Sequence, residues 1–166
     1  MSTSKSEDAT SVALRAATDD DRELLFDVYA STRADELAPV PWTSEQKRAF
    51  LRQQFDAQDR WWRLQYPDCS FQVIEIAGRA AGRLYVDRRE HEIRLVDIAL
   101  LPELRGRGAG TRLIVELQRE AEASGRTLTI HVERFNPARA LYDRLGFREI
   151  GEAGEVYQLL EWRPVS

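Results

Sequence analysis

The sequence predicts a three-layer α/β/α fold with a mixed, mostly antiparallel sheet. Short apolar runs of strand length alternate with longer segments whose apolar residues recur at helical spacing. Several predicted strands follow one another through short turns, which is typical of antiparallel hairpins. One pair is instead separated by a long helix, as in a parallel β-α-β crossover. The chain has 166 residues, the size of one domain that buries its own core.

The first part of the chain predicts one strand and two helices. Residues 12–14 form a short apolar run. Thr18 precedes three aspartates, which is typical of a helix start because carboxylates in the first turn oppose the positive end of the helix dipole. The prolines of residues 39–42 end this helix, and Thr43 with Gln46 resembles a capping box that begins the second helix.

Beyond residue 70 the apolar pattern changes to the period of strands. The predicted strands cover residues 71–76, 81–86, 92–100, 127–132, 148–150 and 156–162. Gly78 and Arg79 are the predicted turn of the first hairpin. The crossover helix ends at Gly125, and a short helix opens at Asn136-Pro137. The expected buried stripe of the crossover helix is Gly110, Ile114, Leu117 and Ala121.

Composition and charge exclude several classes of protein. The chain carries 24 basic and 28 acidic residues, a net charge of −4, so we expect no nucleic-acid partner, because that affinity depends on neutralised phosphates. We expect neither a membrane span nor a signal peptide, because the sequence has no apolar run of about 20 residues and its first eleven residues lack an apolar stretch. A single cysteine, Cys69, excludes an intrachain disulfide. We therefore expect a cytoplasmic protein with no membrane partner, a disordered tail at residues 1–10 and one domain over residues 11–166.

The glycine-rich turn Arg105–Gly110, between a predicted strand and a predicted helix, is the clearest functional signal. The first N–H groups of a helix lack backbone partners, so its N-terminus attracts anions. Glycines let a phosphate approach the backbone, and Arg105 and Arg107 add positive charge. The turn is not a nucleotide P-loop, because the chain has no Gly-Lys pair. Nor is it a dinucleotide fingerprint, because Thr111 stands where that pattern requires glycine.

This turn and a later segment together resemble the GNAT superfamily of acyl-CoA-dependent N-acyltransferases. The pyrophosphate loop of that family has the form Arg/Gln-x-x-Gly-x-Gly/Ala, which Arg105, Gly108 and Gly110 match. The family also carries an Asn, an Ala and a Tyr before Leu-Gly-Phe. The matching residues are Asn136, Ala140, Tyr142 and Leu145-Gly146-Phe147. The order of elements agrees over about residues 12–162, and the motifs lie within residues 92–147.

The resemblance implies that acyl-CoA lies in a cleft where the strand before the loop splays from its parallel neighbour. The cosubstrate would be acetyl-CoA or another short acyl-CoA, with no metal. The backbones of Ile98 and Leu100 would bind the pantetheine arm, which Asn136 would also contact. The N–H groups expected around the pyrophosphate are those of Arg105, Arg107, Gly108, Ala109, Gly110 and, as a further option, Thr111. Phe135 or Arg139 would lie beside the distal groups of CoA.

The same resemblance implies direct attack of an amine on the thioester. Tyr142 aligns with the tyrosine that protonates the leaving thiolate in many relatives, a role suited to a phenol with a pKa near 10. Glu92 aligns with a glutamate that serves as base in histone-acetylating relatives, and it would share a side of the strand with Ile98 if no bulge intervenes. Asp97 lies in an apolar strand, where a carboxylate needs a partner such as Arg94.

Three alternatives to Glu92 as the base stay open. Asp97, expected on the opposite side of the strand, would face the substrate instead of a structural partner. His131 and Glu133 lie on the facing strand, where an imidazole would relay a proton. A chain of waters would need no dedicated base.

The resemblance assigns the choice of acceptor mainly to the first two helices and the late hairpin. We expect a primary amine of a small molecule, an amino acid or a peptide end, and a protein that is a monomer or a homodimer. Asp35 and Glu36 would suit a cationic acceptor, and Arg33 and Arg63 a carboxylate, so both remain open. The other candidates, which core packing explains equally well, are Tyr29, Trp42, Phe55, Trp61, Trp62 and Tyr66.

Two other functions are compatible with parts of the pattern. A non-catalytic acyl-CoA-binding sensor or regulatory module would share the loop but would have no need of Tyr142 as an acid. A nucleotide-binding domain is disfavoured by the missing lysine. The leading interpretation is an acetyl-CoA-dependent N-acetyltransferase.

Overall fold

The computed structural model describes residues 11–154 and 156–165. Within them the chain forms strands and α-helices in the predicted order. The strands are β1 (Val12–Ala16), β2 (Ser70–Ile76), β3 (Arg79–Arg88), β4 (Glu92–Leu100), β5 (Thr127–Glu133), β6 (Arg148–Ala153) and β7 (Tyr157–Trp162). The helices are α1 (Arg22–Leu37), α2 (Ser44–Gln65), α3 (Ala109–Ser124) and α4 (Arg139–Arg144). The tail predicted to be disordered, residues 1–10, lies outside the described residues.

The strands form one sheet in the order β1-β2-β3-β4-β5-β7-β6. Neighbouring strands are antiparallel except for β4 and β5, which are parallel and connected through α3. A parallel pair needs a crossover that returns the chain to the same end of the sheet, and the 16 residues of α3 supply it. The predicted α/β class with a mixed, mostly antiparallel sheet is confirmed.

Helices cover both faces of the sheet. On one face, called here the α1–α2 face, Phe26 and Phe55 form a core between the two helices and the sheet. On the other, the α3 face, the apolar stripe of α3 packs on strand residues such as Leu84. Successive residues of a strand point to opposite faces, which is why Tyr85, next to Leu84, instead contacts Trp62 of α2.

The helix ends use the capping residues that the sequence predicts. Thr43 Oγ1 accepts the N–H of Gln46 at 3.1 Å, and Gln46 Oε1 accepts the N–H of Thr43 at 2.9 Å, which completes the capping box of α2. The Asp21 carboxylate accepts the N–H of Thr18 at 2.8 Å, and the three aspartates form one 3-10 turn ahead of α1. Helix α3 ends at Gly125, whose φ of 67° is left-handed.

Two local predictions are wrong by one residue. The turn after β2 consists of Ala77 and Gly78, with φ of 52° and 78°, so Arg79 already belongs to β3. A two-residue turn of this kind matches the twist of the strands it joins. On α3 the first buried residue is Ala109, whereas Gly110 is only half buried, because the helix begins one residue before the predicted stripe.

A β-bulge in β4 coincides with the end of its pairing to β5. Val86 of β3 lies opposite Leu95 and Tyr85 lies opposite Asp97, which leaves Val96 without an opposite residue. The parallel pairing with β5 covers only the first four residues of β4 and ends at Leu95. From the bulge onward the two parallel strands are therefore no longer paired.

Candidate functional site

The glycine-rich turn leads directly into the N-terminus of α3. Gly106 and Gly108 have φ of 74° and 83°, in the left-handed region, so the shape of the turn requires glycine there. A Cβ atom at Gly106, Gly108 or Gly110 would meet no atom within 4 Å, so the space beside the turn is open. The N–H of Arg112 reaches back to the Gly108 carbonyl at 3.0 Å. The N–H groups of residues 109–111 precede this bond, and N–H groups at such a position attract anions.

The two arginines of the turn differ in their contacts. Arg105 Nε donates to the Leu100 carbonyl at 3.0 Å, and Nη2 donates to Ser31 Oγ of α1 at 3.1 Å. The backbone N–H of Arg105 donates to the Pro102 carbonyl at 3.3 Å. Arg105 thus ties the end of β4 to α1, and its N–H is already engaged. Arg107 is exposed and is the arginine left to face an anion.

The unpaired segment of β4 carries the two residues predicted to bind the pantetheine arm. Ile98 and Leu100 are partly buried and pack against the core on the α3 face. Leu100 lies opposite Gly82 of β3, where a Cβ would come within 2.1 Å of the Ala99 carbonyl oxygen. Only glycine therefore lets β3 and β4 approach this closely. Sequence reasoning missed Gly82, because an isolated glycine in a strand does not reveal what lies opposite it.

The bulge in β4 changes which side chains share a face. The sequence predicts Glu92 on the side of Ile98, with Asp97 on the opposite side, provided that no bulge intervenes. This prediction is wrong, because the extra residue reverses the alternation along the strand. Ile98 lies opposite Leu84 and faces α3, whereas Asp97 lies opposite Tyr85 and shares the α1–α2 face with Glu92.

Glu92 is held by three neighbours where β4 and β5 are still paired. Its Oε1 accepts from Arg89 Nη1 at 3.0 Å, and its Oε2 accepts from Thr129 Oγ1 at 2.6 Å. Oε2 also lies 3.5 Å from Arg94 Nη2. Burial by itself would raise the pKa of Glu92, but these contacts outweigh it and hold the pKa below its usual range. A carboxylate with both oxygens engaged is a poor base, which favours a structural role for Glu92.

Arg94 determines which nitrogen of His131 carries the proton. The buried Arg94 donates Nε to Thr129 Oγ1 at 2.8 Å, and its Nη1 lies 3.2 Å from His131 Nδ1. A guanidinium can only donate, so Nδ1 is the acceptor and the proton of the neutral ring lies on Nε2. Burial and the charge of Arg94 lower the pKa of His131, against the opposing charge of Glu92. His131 therefore offers an N–H donor and not a free lone pair.

The partner of Asp97 is not Arg94 of β4, which the sequence suggested. Arg83 Nε of β3 donates to Asp97 Oδ2 at 2.6 Å, and the two side chains are 4% and 26% exposed. The guanidinium carbon of Arg83 lies 5.0 Å, 5.5 Å and 6.0 Å from the ring centres of Trp62, Tyr85 and Tyr29. Aromatic rings around a buried guanidinium stabilise its charge. Arg83 is thus a fixed cation behind a partly exposed carboxylate.

Tyr142 and Asn136 lie on α4 and on the turn before it. The Tyr142 side chain is 3% exposed and packs edge-on against Phe147, with 5.4 Å between ring centres. Burial, with a smaller contribution from the charge of Asp97, raises the pKa of Tyr142 above its usual range, so the phenol keeps its proton at neutral pH. Asn136 Oδ1 accepts the Ala138 N–H at 2.8 Å, so a contact from Asn136 to a ligand would come from Nδ2.

The structure separates the predicted residues into two groups along β4. The open end holds Leu100 and the glycine-rich turn, with Asp97 and Tyr142 close enough to interact electrostatically. The paired end holds Glu92, which at about 3.3 Å per residue lies roughly 26 Å along the strand from Leu100. The predicted base Glu92 therefore lies in the paired part of β4, away from its open end.

A groove between α1 and α2 lies on the same face of the sheet as Asp97. It has a volume of about 240 Å³ and is lined by Tyr29, Arg33, Glu36, Leu37, Phe50, Leu51 and Gln54. Arg33 Nη1 lies 3.0 Å from Glu36 Oε1 and 3.7 Å from Glu133 Oε1, so one cation here faces two carboxylates. Of the aromatic candidates, Phe55 and Trp62 belong to the core, whereas Trp61 is half exposed.

Other chemistry is limited in the described part of the chain. No cluster of three or more His, Cys, Asp or Glu side chains there is suited to hold a metal ion. None of the helices described is long and apolar enough to cross a membrane. Burial raises the pKa of the Cys69 thiol to about 11, so it is not an activated nucleophile.

Comparisons with known proteins identify the family of the chain and support its fold. A family model described as the acetyltransferase (GNAT) family matches residues 31–147. PaiA N-acetyltransferase from Thermoplasma acidophilum, solved in complex with coenzyme A, has a TM-score of 0.68 at 19% identity, over 93% of this chain and 100% of that one. An acetyltransferase from Thermus thermophilus has a TM-score of 0.66 at 19% identity, over 94% and 99%. A structure described as a GCN5-related N-acetyltransferase from Rhodopseudomonas palustris has a TM-score of 0.63 at 18% identity, over 94% and 98%. No curated protein matches the chain in sequence.

Proposed function

Because the chain belongs to the acetyltransferase (GNAT) family, and is thus an acetyl-CoA-dependent N-acetyltransferase, we propose that its acceptor is a primary amine of a small molecule, an amino acid or a peptide end. In this proposal the glycine-rich turn and the unpaired edge of β4 hold the cosubstrate, and Tyr142 is the general acid. The next steps of the proposal follow from contacts within the described residues.

The observation that carries the proposal is the order of binding features from the bulge to α3. An unpaired strand edge offers N–H and C=O groups, and it is followed by open N–H groups at a helix N-terminus. CoA carries amide groups in its pantetheine arm and a pyrophosphate further along. An amide-binding edge followed by an anion site matches that order of groups.

The individual assignments follow from which groups are still available. The backbones of Ile98 and Leu100 belong to the unpaired edge, and Asn136 Nδ2 is a donor for the same arm. The pyrophosphate is assigned to Arg107 and to the N–H groups of residues 107–111. Arg105 is a positioning residue, because its side chain and its N–H already bind the protein.

Tyr142 is assigned as the acid because it holds its proton where the thiolate would leave. Its pKa is raised by burial, so the phenol stays protonated, and a hydrogen bond from it would stabilise negative charge on sulfur as the bond to carbon breaks. In this proposal the amine approaches from the α1–α2 face, which carries the partly exposed Asp97 carboxylate, whereas Ile98 and Leu100 pack into the core on the α3 face. The groove between α1 and α2 lies on that approach.

The proposal is tested by measuring binding and turnover separately. Acetyl-CoA should raise the melting temperature of the protein, and a panel of primary amines should release free CoA from it, as detected with a thiol reagent. Stabilisation without CoA release across the panel would contradict catalysis and support a sensor. Stabilisation by ATP with magnesium but not by acetyl-CoA would contradict both and support a nucleotide-binding domain.

A further inference from the structure

We propose that Asp97 binds the ammonium group of the acceptor and takes a proton from the attacking nitrogen. The assignment rests on the proposed function, and it narrows the acceptor to an amine that arrives at the α1–α2 face as a cation.

The bulge puts Asp97 at the opening between the parallel strands. Pairing with β5 ends at Leu95, so beyond Val96 the side of β4 toward β5 is open. The same bulge turns Asp97 to the α1–α2 face, from which the amine approaches. A carboxylate that is 26% exposed at this point is accessible to a ligand and still partly desolvated.

The Asp97 carboxylate has one oxygen bonded within the described residues and one left for a ligand. The buried Arg83 bonds only to Oδ2, at 2.6 Å, and within the described ranges no residue is bonded to Oδ1. Tyr85 lies opposite Asp97 on β3, and the charge of Asp97 contributes to the raised pKa of Tyr142. Both phenols keep their protons at neutral pH, so the buried Arg83 is the charged partner that the structure gives Asp97.

The other predicted bases are engaged in bonds that leave no free acceptor atom. Both oxygens of Glu92 accept hydrogen bonds, from Arg89 and Thr129, and the lone pair of His131 Nδ1 is taken by Arg94. Each of these groups would take a proton on an atom that already accepts a structural hydrogen bond, whereas Asp97 Oδ1 has no bonded residue within the described ranges.

The proposed chemistry is balanced. The bound ammonium group first loses one proton to Asp97, which passes it to solvent, and the neutral amine that results has a free lone pair. Its nitrogen then forms a bond to the acetyl carbon as the carbon–sulfur bond breaks. The second N–H proton passes to Asp97, and the Tyr142 proton passes to the departing sulfur. Asp97 then releases its proton to solvent and Tyr142 takes one up, so an amide, a free thiol and one net proton leave and the enzyme is restored.

The test compares Asp97→Asn with Asp87→Asn, a matched control. Asp87 is a buried aspartate of β3 on the same face, and it binds Arg89 at 2.9 Å. For Asp97→Asn we expect the KM of the amine to rise at least tenfold and kcat to fall about 100-fold, with the Kd of acetyl-CoA unchanged. Asp87→Asn should keep all three constants within a factor of about three.

Asp97→Asn removes the counter-charge of a buried arginine, so the double variant Arg83→Gln, Asp97→Asn keeps the test valid if the single variant does not fold. It should bind acetyl-CoA and show the same loss in KM and kcat. Wild-type KM and kcat in either folded variant would overturn the assignment while leaving the proposed function intact. A loss of turnover in Glu92→Gln that is absent in Asp97→Asn would also overturn the assignment. A wild-type protein that releases no CoA with any amine would overturn the proposed function itself.

Discussion

Replacing Gly108 by glutamate should abolish CoA binding, whereas the same replacement at Gly125 should leave it unchanged. Both glycines have left-handed φ, 83° and 67°, and at neither does a Cβ meet an atom within 4 Å. The backbone strain is therefore similar, roughly 1–2 kcal/mol in each variant. Gly108 precedes the N-terminus of α3 and Gly125 follows its C-terminus, so only the first variant puts a carboxylate at the anion site.

The expected loss of affinity follows from the charge that the new side chain brings. A carboxylate about 5 Å from one phosphate charge costs about 3 kcal/mol at an effective dielectric constant near 20. Since about 1.4 kcal/mol corresponds to a tenfold change, the Kd of CoA should rise at least 100-fold. The new side chain would also fill the open space beside the turn.

Isothermal titration of CoA into both variants measures this effect, and thermal unfolding checks that each is folded. A glutamate at a helix N-terminus is favoured by about 0.3–1 kcal/mol and one at a C-terminus is disfavoured, so Gly108→Glu should be the more stable variant. A loss of binding in Gly108→Glu alone therefore cannot be attributed to unfolding. Equal Kd values for the two variants would refute the assignment of the turn to the pyrophosphate.

The remaining predictions concern catalysis, strand packing and pH. Tyr142→Phe should lower kcat about 100-fold with the Kd of acetyl-CoA unchanged, and full turnover in this variant would remove the phenol from the chemistry. Gly82→Ala should destabilise the fold by about 1–3 kcal/mol in urea unfolding, because the new Cβ would lie 2.1 Å from the Ala99 carbonyl oxygen. Unchanged stability would show that β3 and β4 move apart to make room for it. The hydrogen bonds from Arg15 hold the pKa of Asp21 at about 2 in the folded state, below its ordinary value of 3.8. Between pH 2 and pH 3.8 the unfolded state therefore binds more protons than the folded state. Stability should therefore fall as the pH drops from about 5 to 2, and Asp21→Asn should flatten this dependence in unfolding curves recorded across that range.

The order of elements and the geometry of the glycine-rich turn were predictable because short segments encode them. Thr43 and Gln46 cap a helix through neighbouring backbone groups, and Gly106, Gly108 and Gly125 are left-handed because of local turn geometry. Such features depend on residues a few positions apart, so the sequence alone predicts them. The glycine-rich turn and its place before α3 are of this kind, and they carried the resemblance to the family.

The sequence by itself determined the α/β class, the helix ends and the place of the glycine-rich turn before α3, whereas only the tertiary structure decided which acidic side chain faces the opening. One extra residue in β4, Val96, reversed the face of Asp97, and strand register gave it the buried partner Arg83 instead of Arg94. Register is set by the packing of strands that are far apart in the chain, and a shift of one residue moves every later side chain to the other face. No local pattern around Glu92 indicates such a shift.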